Sequence, residues 1–73
     1  MNDAPVLTRV ENRTGILTFN RPRVMNAFDS ALIAATHQAM SDFLSDDAVH
    51  AIIVQGAGRC FSAGFDMKES AAK

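Results

Sequence analysis

The sequence predicts an α/β unit in which a β-hairpin feeds a βαβ crossover. Three observations carry that prediction. Two short runs of partly alternating apolar residues flank a turn-forming tetrad near the N-terminus. An apolar stripe at helical spacing follows, over residues 30–45. After it comes a continuous apolar run, Ala51-Ile52-Ile53-Val54, of strand length.

In chain order, Val6-Leu7-Thr8-Arg9-Val10-Glu11 mixes apolar and polar residues and is expected to be a strand with one solvated face. Asn12-Arg13-Thr14-Gly15 is turn chemistry, with Gly15 the residue suited to positive φ. Ile16-Leu17-Thr18-Phe19 resumes the strand pattern, so an antiparallel hairpin with a four-residue connection is expected. Pro22 lacks an N–H for a ladder and drives Arg21 into an extended conformation, which ends the strand and opens an irregular loop from Asn20 to Phe28. Asp29 can accept from first-turn amides as an N-cap. Behind it Leu32, Thr36, Ala39, Met40 and Phe43 recur at i+3 and i+4, widened by Ile33 and Leu44, which predicts a helix from Ser30 to Ser45. The run Ala51–Val54 is expected to be a strand buried on both faces. After Gly64, residues 65–72 lack breakers and are expected to begin a second helix.

The composition sets limits on function. The chain has 73 residues, 48% hydrophobic and 21% charged, with a net charge of −1. That balance is neither disordered nor membrane-like, and it excludes a polybasic nucleic-acid binder. No apolar run approaches the ~20 residues of a membrane span, so no membrane association is expected. The first residues carry Asp3 and no basic residue before Arg9, unlike a signal or transit peptide. Cys60 is the single cysteine, which precludes an internal disulfide and fits a reducing compartment; a cytoplasmic location is expected. His37 and His50 have no metal-ligand spacing with Cys60, and no metal site is expected. Residues 1–73 read as one unit without a linker or a repeat.

In a parallel βαβ unit, ligands bind beyond the carboxyl ends of the strands. Two loops meet that condition, residues 20–28 and 55–65, and four of the seven basic residues fall in or just after them: Arg21, Arg23, Arg59 and Lys68. Gly56-Ala57-Gly58 is not a dinucleotide fingerprint, because position 61 is Phe61 rather than glycine, and no P-loop Gly-Lys-Ser/Thr follows. Ser62-Ala63-Gly64 are small enough for a ligand to approach the backbone, just before an expected helix start whose free amides suit an anion or a developing oxyanion. On the residues alone, a tight turn relieved by small side chains explains the stretch equally well.

A resemblance separates these readings. Asn20-Arg21-Pro22 followed by Asn26-Ala27-Phe28, and then Gly56-Ala57-Gly58-Arg59-Cys60-Phe61-Ser62-Ala63-Gly64-Phe65-Asp66, resemble the enoyl-CoA hydratase/isomerase (crotonase) superfamily. The first block matches the pattern N-R-P-x-x-x-N-A and the second G-x-G-[KR]-x-F-[SC]-[AS]-G-x-D. The resemblance runs from about Val6 to Ser70. It implies the N-terminal part of a crotonase-like ββα spiral, and it implies that residues 1–73 are an incomplete segment of that domain, inactive alone. It implies acyl-CoA thioesters as substrates and chemistry through an oxyanion-stabilised enolate, most often hydration of a 2-enoyl-CoA in fatty-acid metabolism. Coenzyme A enters as part of the substrate, with no further cofactor.

By the same resemblance, the backbone N–H of Phe65 is one oxyanion donor. Arg23 lies near the CoA phosphates, and Val24, Met25, Ala27, Ala63, Phe65 and Met67 border the CoA path. Asn26, Gly64 and Asp66 are implied to be structural, in the loop and at the helix start. Full-length relatives are commonly homotrimers or hexamers. The family also includes isomerases, dehalogenases and thioester hydrolases, and a non-catalytic CoA-binding or assembly role is the reading from another class. Asp66 with Glu69 as an acid–base pair, and Cys60 as a nucleophile, are weaker alternatives than a turn organiser and a small filler. Phe61 is expected in the core.

Overall fold

The computed structural model describes residues 4–64. The elements are β1 (Val6–Glu11), β2 (Thr14–Phe19), a 3₁₀ turn at Pro22–Val24, α1 (Ser30–Leu44) and β3 (Ala51–Gly56). They form one sheet in the order β1-β2-β3. β1 and β2 pair antiparallel, with Thr8 opposite Leu17, and β2 and β3 pair parallel, with Leu17 opposite Val54. The expected hairpin, helix and βαβ crossover are all present. The second helix expected over residues 65–72 lies outside the described residues.

Strand periodicity decides which side of the sheet is covered. Gly15, Leu17 and Phe19 are buried in strict alternation with Thr14, Ile16 and Thr18. α1 turns Leu32, Ala39 and Phe43 onto Leu17 and Phe19, and Val6, Phe28, Met40, Val49 and Ile52 pack around them. The helix begins where the sequence predicts. Asp29 is extended (φ −111°, ψ 179°) and its carboxylate accepts from the Leu32 N–H at 2.8 Å. It ends at Leu44, and the Ser45 N–H and hydroxyl both donate to the Ser41 carbonyl. Among the described residues, no helix is long and apolar enough to cross a membrane.

Three expectations are corrected. The hairpin connection is two residues, not four: Asn12 (φ 50°) and Arg13 (φ 64°) both take positive φ, as a type I′ turn requires. Gly15 lies inside β2, under the Phe43 ring. β3 is not buried on both faces. α1 lies mainly over β1 and β2, so β3 is an edge on which only Ile52 joins the core, while Ile53 is 50% exposed and Val54 39%. Phe61 is not a core residue: it is 54% exposed, with its ring tilted against Phe19 at a centroid distance of 5.2 Å.

Candidate functional site

The two loops that leave the carboxyl ends of β2 and β3 are joined by hydrogen bonds into one structure. The loop after β2 is anchored first. The Asn20 N–H donates to the Pro5 carbonyl at 2.8 Å and its side-chain amide to the Ala4 carbonyl at 2.9 Å. Pro22, with φ already fixed, starts the 3₁₀ turn, and Met25 (φ 54°) and Asn26 (φ 55°) end it in the left-handed region. Asparagine tolerates that region; for methionine it is a strained conformation at an exposed position. The Arg21 guanidinium donates to the Ala27 carbonyl and pairs with the Asp29 carboxylate at 3.3 Å, tying the loop to the cap of α1.

Asn26 is fully buried and bonds in four directions. Its side-chain oxygen accepts from the Arg21 N–H at 2.7 Å, closing its own loop. Its side-chain NH₂ donates to the carbonyls of Ala57 (2.9 Å) and Cys60 (2.7 Å), which belong to the loop after β3. Its main-chain carbonyl accepts from the Ser62 hydroxyl at 2.9 Å. Two backbone bonds continue the join: the Ala63 N–H donates to the Met25 carbonyl at 2.9 Å, and the Phe28 N–H donates to the Gly64 carbonyl at 2.7 Å.

The glycines of the second loop permit the close approach. A Cβ on Gly56 would lie 2.6 Å from the carbonyl oxygens of Cys60 and Phe61, because the loop folds back over that residue. Gly58 (φ 83°) sits against Pro22, and a Cβ there would lie 2.9 Å from the proline ring.

Between the joined loops lies an open cleft of about 570 Å³, lined by Pro22, Arg23, Met25, Gly58, Arg59 and Cys60. Its described lining carries two guanidinium groups and no carboxylate, an arrangement suited to an anionic group. Of the residues singled out from sequence, Arg23 and Met25 line this cleft. Val24 is exposed on the 3₁₀ turn beside them, and Ala27 is buried behind the loop. Ala63 is exposed and held to Met25; Gly64 has φ 94° and is held to Phe28. Phe65, Asp66, Met67 and Glu69 lie outside the described residues.

Arg59 and Ser62 are absent from the sequence-derived site. The basic bias of the two loops points to Arg59, whereas the Ser62 hydroxyl, besides accepting locally from the Gly64 N–H, donates to a carbonyl 36 positions away. Cys60 is a free, half-buried thiol in the cleft lining, and among the described residues no cluster of three metal-binding side chains occurs.

Residues 9–73 match the family described as enoyl-CoA hydratase/isomerase. The chain is 36% identical over 69 residues to a probable enoyl-CoA hydratase of Rhizobium meliloti (strain 1021), covering 94% of this chain and 27% of that protein. It is 44% identical over 62 residues to 4-chlorobenzoyl coenzyme A dehalogenase-2 of an Arthrobacter species, covering 82% of this chain and 22% of that protein. Among solved structures, an enoyl-CoA hydratase from Mycobacterium marinum superposes with a TM-score of 0.89 at 43% identity, over 93% of this chain and 32% of that one. The chain thus spans about a quarter of the length of the curated relatives it matches.

Proposed function

The chain belongs to the enoyl-CoA hydratase/isomerase family, and on that premise we propose that the joined loops form the CoA end of an acyl-CoA thioester site. The observation that carries this reading is the cleft between them, with Arg23 and Arg59 in its lining and no described carboxylate to repel an anion. In this reading Arg23 faces the CoA phosphates, and Val24, Met25, Ala27, Ala63, Phe65 and Met67 border the CoA path. The N–H of Phe65 is one donor to the thioester oxyanion. Asn26, Gly64 and Asp66 are structural. CoA arrives with the substrate, and the reaction needs no separate cofactor or metal.

The reaction proposed is hydration of a 2-enoyl-CoA. Water adds its oxygen to C3 and a proton to C2, and the charge that develops on the thioester oxygen is held by backbone N–H donors. The chain corresponds to about a quarter of its relatives' length, so the reaction is proposed for the polypeptide as its gene encodes it, assembled as a homotrimer or hexamer in the cytoplasm. The isolated residues 1–73, an incomplete crotonase-like segment in this reading, contribute CoA contacts and one donor, with no turnover of their own. Loss of crotonyl-CoA absorbance on addition of the gene-encoded protein is the direct test. Absence of turnover would refute hydration.

A second reading draws on the 44% identity to the Arthrobacter dehalogenase, a value above that to the Rhizobium hydratase. In it the same CoA end serves an aryl thioester. Chloride release from 4-chlorobenzoyl-CoA, with no hydration of crotonyl-CoA, would favour it.

A further inference from the structure

We infer that the Met25 side chain is a ligand contact, covering the carbon skeleton of CoA beside the phosphates, and that the strained backbone beneath it is what placing it there requires; the inference deepens the acyl-CoA reading above and rests on it. Met25 sits at φ 54°, ψ 38°, in the left-handed region. Within the two joined loops, the other described residues at positive φ are Asn26, Gly58 and Gly64, types that tolerate it. Methionine is strained there, and glycine would relieve the strain.

No core packing among the described residues offsets that strain. Met25 is 52% exposed and lies outside the hydrophobic cluster under α1. A half-solvated side chain adds little to the free fold, so an outlier kept at the cleft points to a use there. The Met25 backbone is already engaged: its N–H donates to the Pro22 carbonyl at 3.2 Å, and its carbonyl accepts the Ala63 N–H at 2.9 Å. What Met25 has left to offer the cleft it lines is its side chain. The lining matches a ligand with two kinds of surface. Arg23 and Arg59 suit anionic groups, whereas Pro22, Met25 and Cys60 bring carbon and sulfur. An unbranched, polarizable methionine fits itself to an irregular organic surface. CoA carries both surfaces on one molecule.

The test is urea unfolding and isothermal titration of CoA for the gene-encoded protein and for Met25→Gly, Met25→Ala and Met25→Leu. Met25→Gly relieves the left-handed strain, and the added freedom of glycine in the unfolded chain cancels part of the gain. Its urea midpoint is therefore expected to exceed that of Met25→Ala by roughly 0.2–0.5 M. Both variants remove the contact, and each is expected to weaken CoA binding about fivefold, as uncovering part of one apolar side chain does. Met25→Leu keeps an apolar side chain of similar size and is expected to recover Kd to within about twofold. A glycine variant that is more stable than the alanine one yet binds CoA as weakly is a result that a purely structural role would not give. A glycine midpoint no higher than the alanine one would overturn the inference alone. So would CoA binding by Met25→Gly or Met25→Ala within about twofold of the unmutated protein, or a leucine variant as weak as the alanine one. No binding of CoA by the unmutated protein would overturn the acyl-CoA reading and this inference with it.

Discussion

The Phe43 ring of α1 covers the backbone of Gly15 in β2 so closely that a Cβ on Gly15 would lie 2.9 Å from two of its ring carbons. Both residues are buried, and the contact is where the helix meets the sheet. Glycine in a strand ordinarily weakens it, so its presence in β2 has a tertiary cause. Gly15→Ala is expected to destabilise the fold by ~1–3 kcal/mol, the usual cost of forcing one extra methyl into a packed core. Phe43→Leu should relieve part of that strain, so the double variant should lose less than the sum of the two single ones. Urea unfolding of the four proteins measures both effects.

Asn26 makes a second prediction. Asn26→Ala removes the partners of the Arg21 N–H and the Ala57 and Cys60 carbonyls together, and it places alanine at φ 55°. Each buried polar group left unpaired costs ~1–3 kcal/mol, so the expected loss is at least ~3 kcal/mol. Asn26→Asp is expected to be as harmful despite its shape, because a carboxylate would face two carbonyl oxygens with no proton to offer. A shift in urea midpoint that is small for aspartate and large for alanine would contradict the assigned donor role.

Asp29 has two separable functions. Its carboxylate caps α1 through the Leu32 N–H and pairs with Arg21 at 3.3 Å, with both side chains about one-fifth exposed. Asp29→Asn retains a capping oxygen and removes the charge, whereas Asp29→Ala removes both. The alanine variant should be less stable than the asparagine one by ~1 kcal/mol, the usual worth of an N-cap. Thermal unfolding of the two variants should show asparagine intermediate between alanine and the unmutated protein.

These contacts explain which features could be read from the sequence. Local signals were sufficient for Asp29 as a cap, for the stripe of Leu32, Ala39 and Phe43, and for the alternation that buries Leu17 and Phe19, because each depends on residues within a few positions. The order of the two loop blocks was enough to bring both to one end of the sheet. Gly15 resembled turn chemistry because the ring that requires it lies 28 positions away. Arg13 at φ 64° carries no sequence signal for a left-handed conformation. The apolarity of Ile53 and Val54 marks a strand, but burial depends on what covers it, and α1 lies over β1 and β2 instead. The Ser62 hydroxyl could not be assigned before Asn26 was brought beside it.

The cleft supplies the last prediction. Arg23 and Arg59 lie in the described lining, one from each loop, so an anion between them is attracted from two sides. Exposed charges of this kind contribute ~0.2–1 kcal/mol each, which is roughly 1.5- to 5-fold in Kd. Arg23→Gln and Arg59→Gln are each expected to weaken CoA binding by that factor, and the double variant by about the product if the two act independently. Arg13 is the control: it carries the same charge but sits in the β1–β2 turn, at the opposite end of β2 from the cleft. Arg13→Gln should leave Kd unchanged, apart from a field effect that salt removes, because at physiological ionic strength interactions are screened beyond about 8 Å. Isothermal titration of CoA into the gene-encoded protein and each variant, at low and at physiological salt, measures this. Equal losses for Arg13→Gln and the two cleft variants would mean that net charge, not the cleft, attracts CoA. Losses confined to Arg23→Gln and Arg59→Gln would assign the phosphate end of the ligand to the cleft.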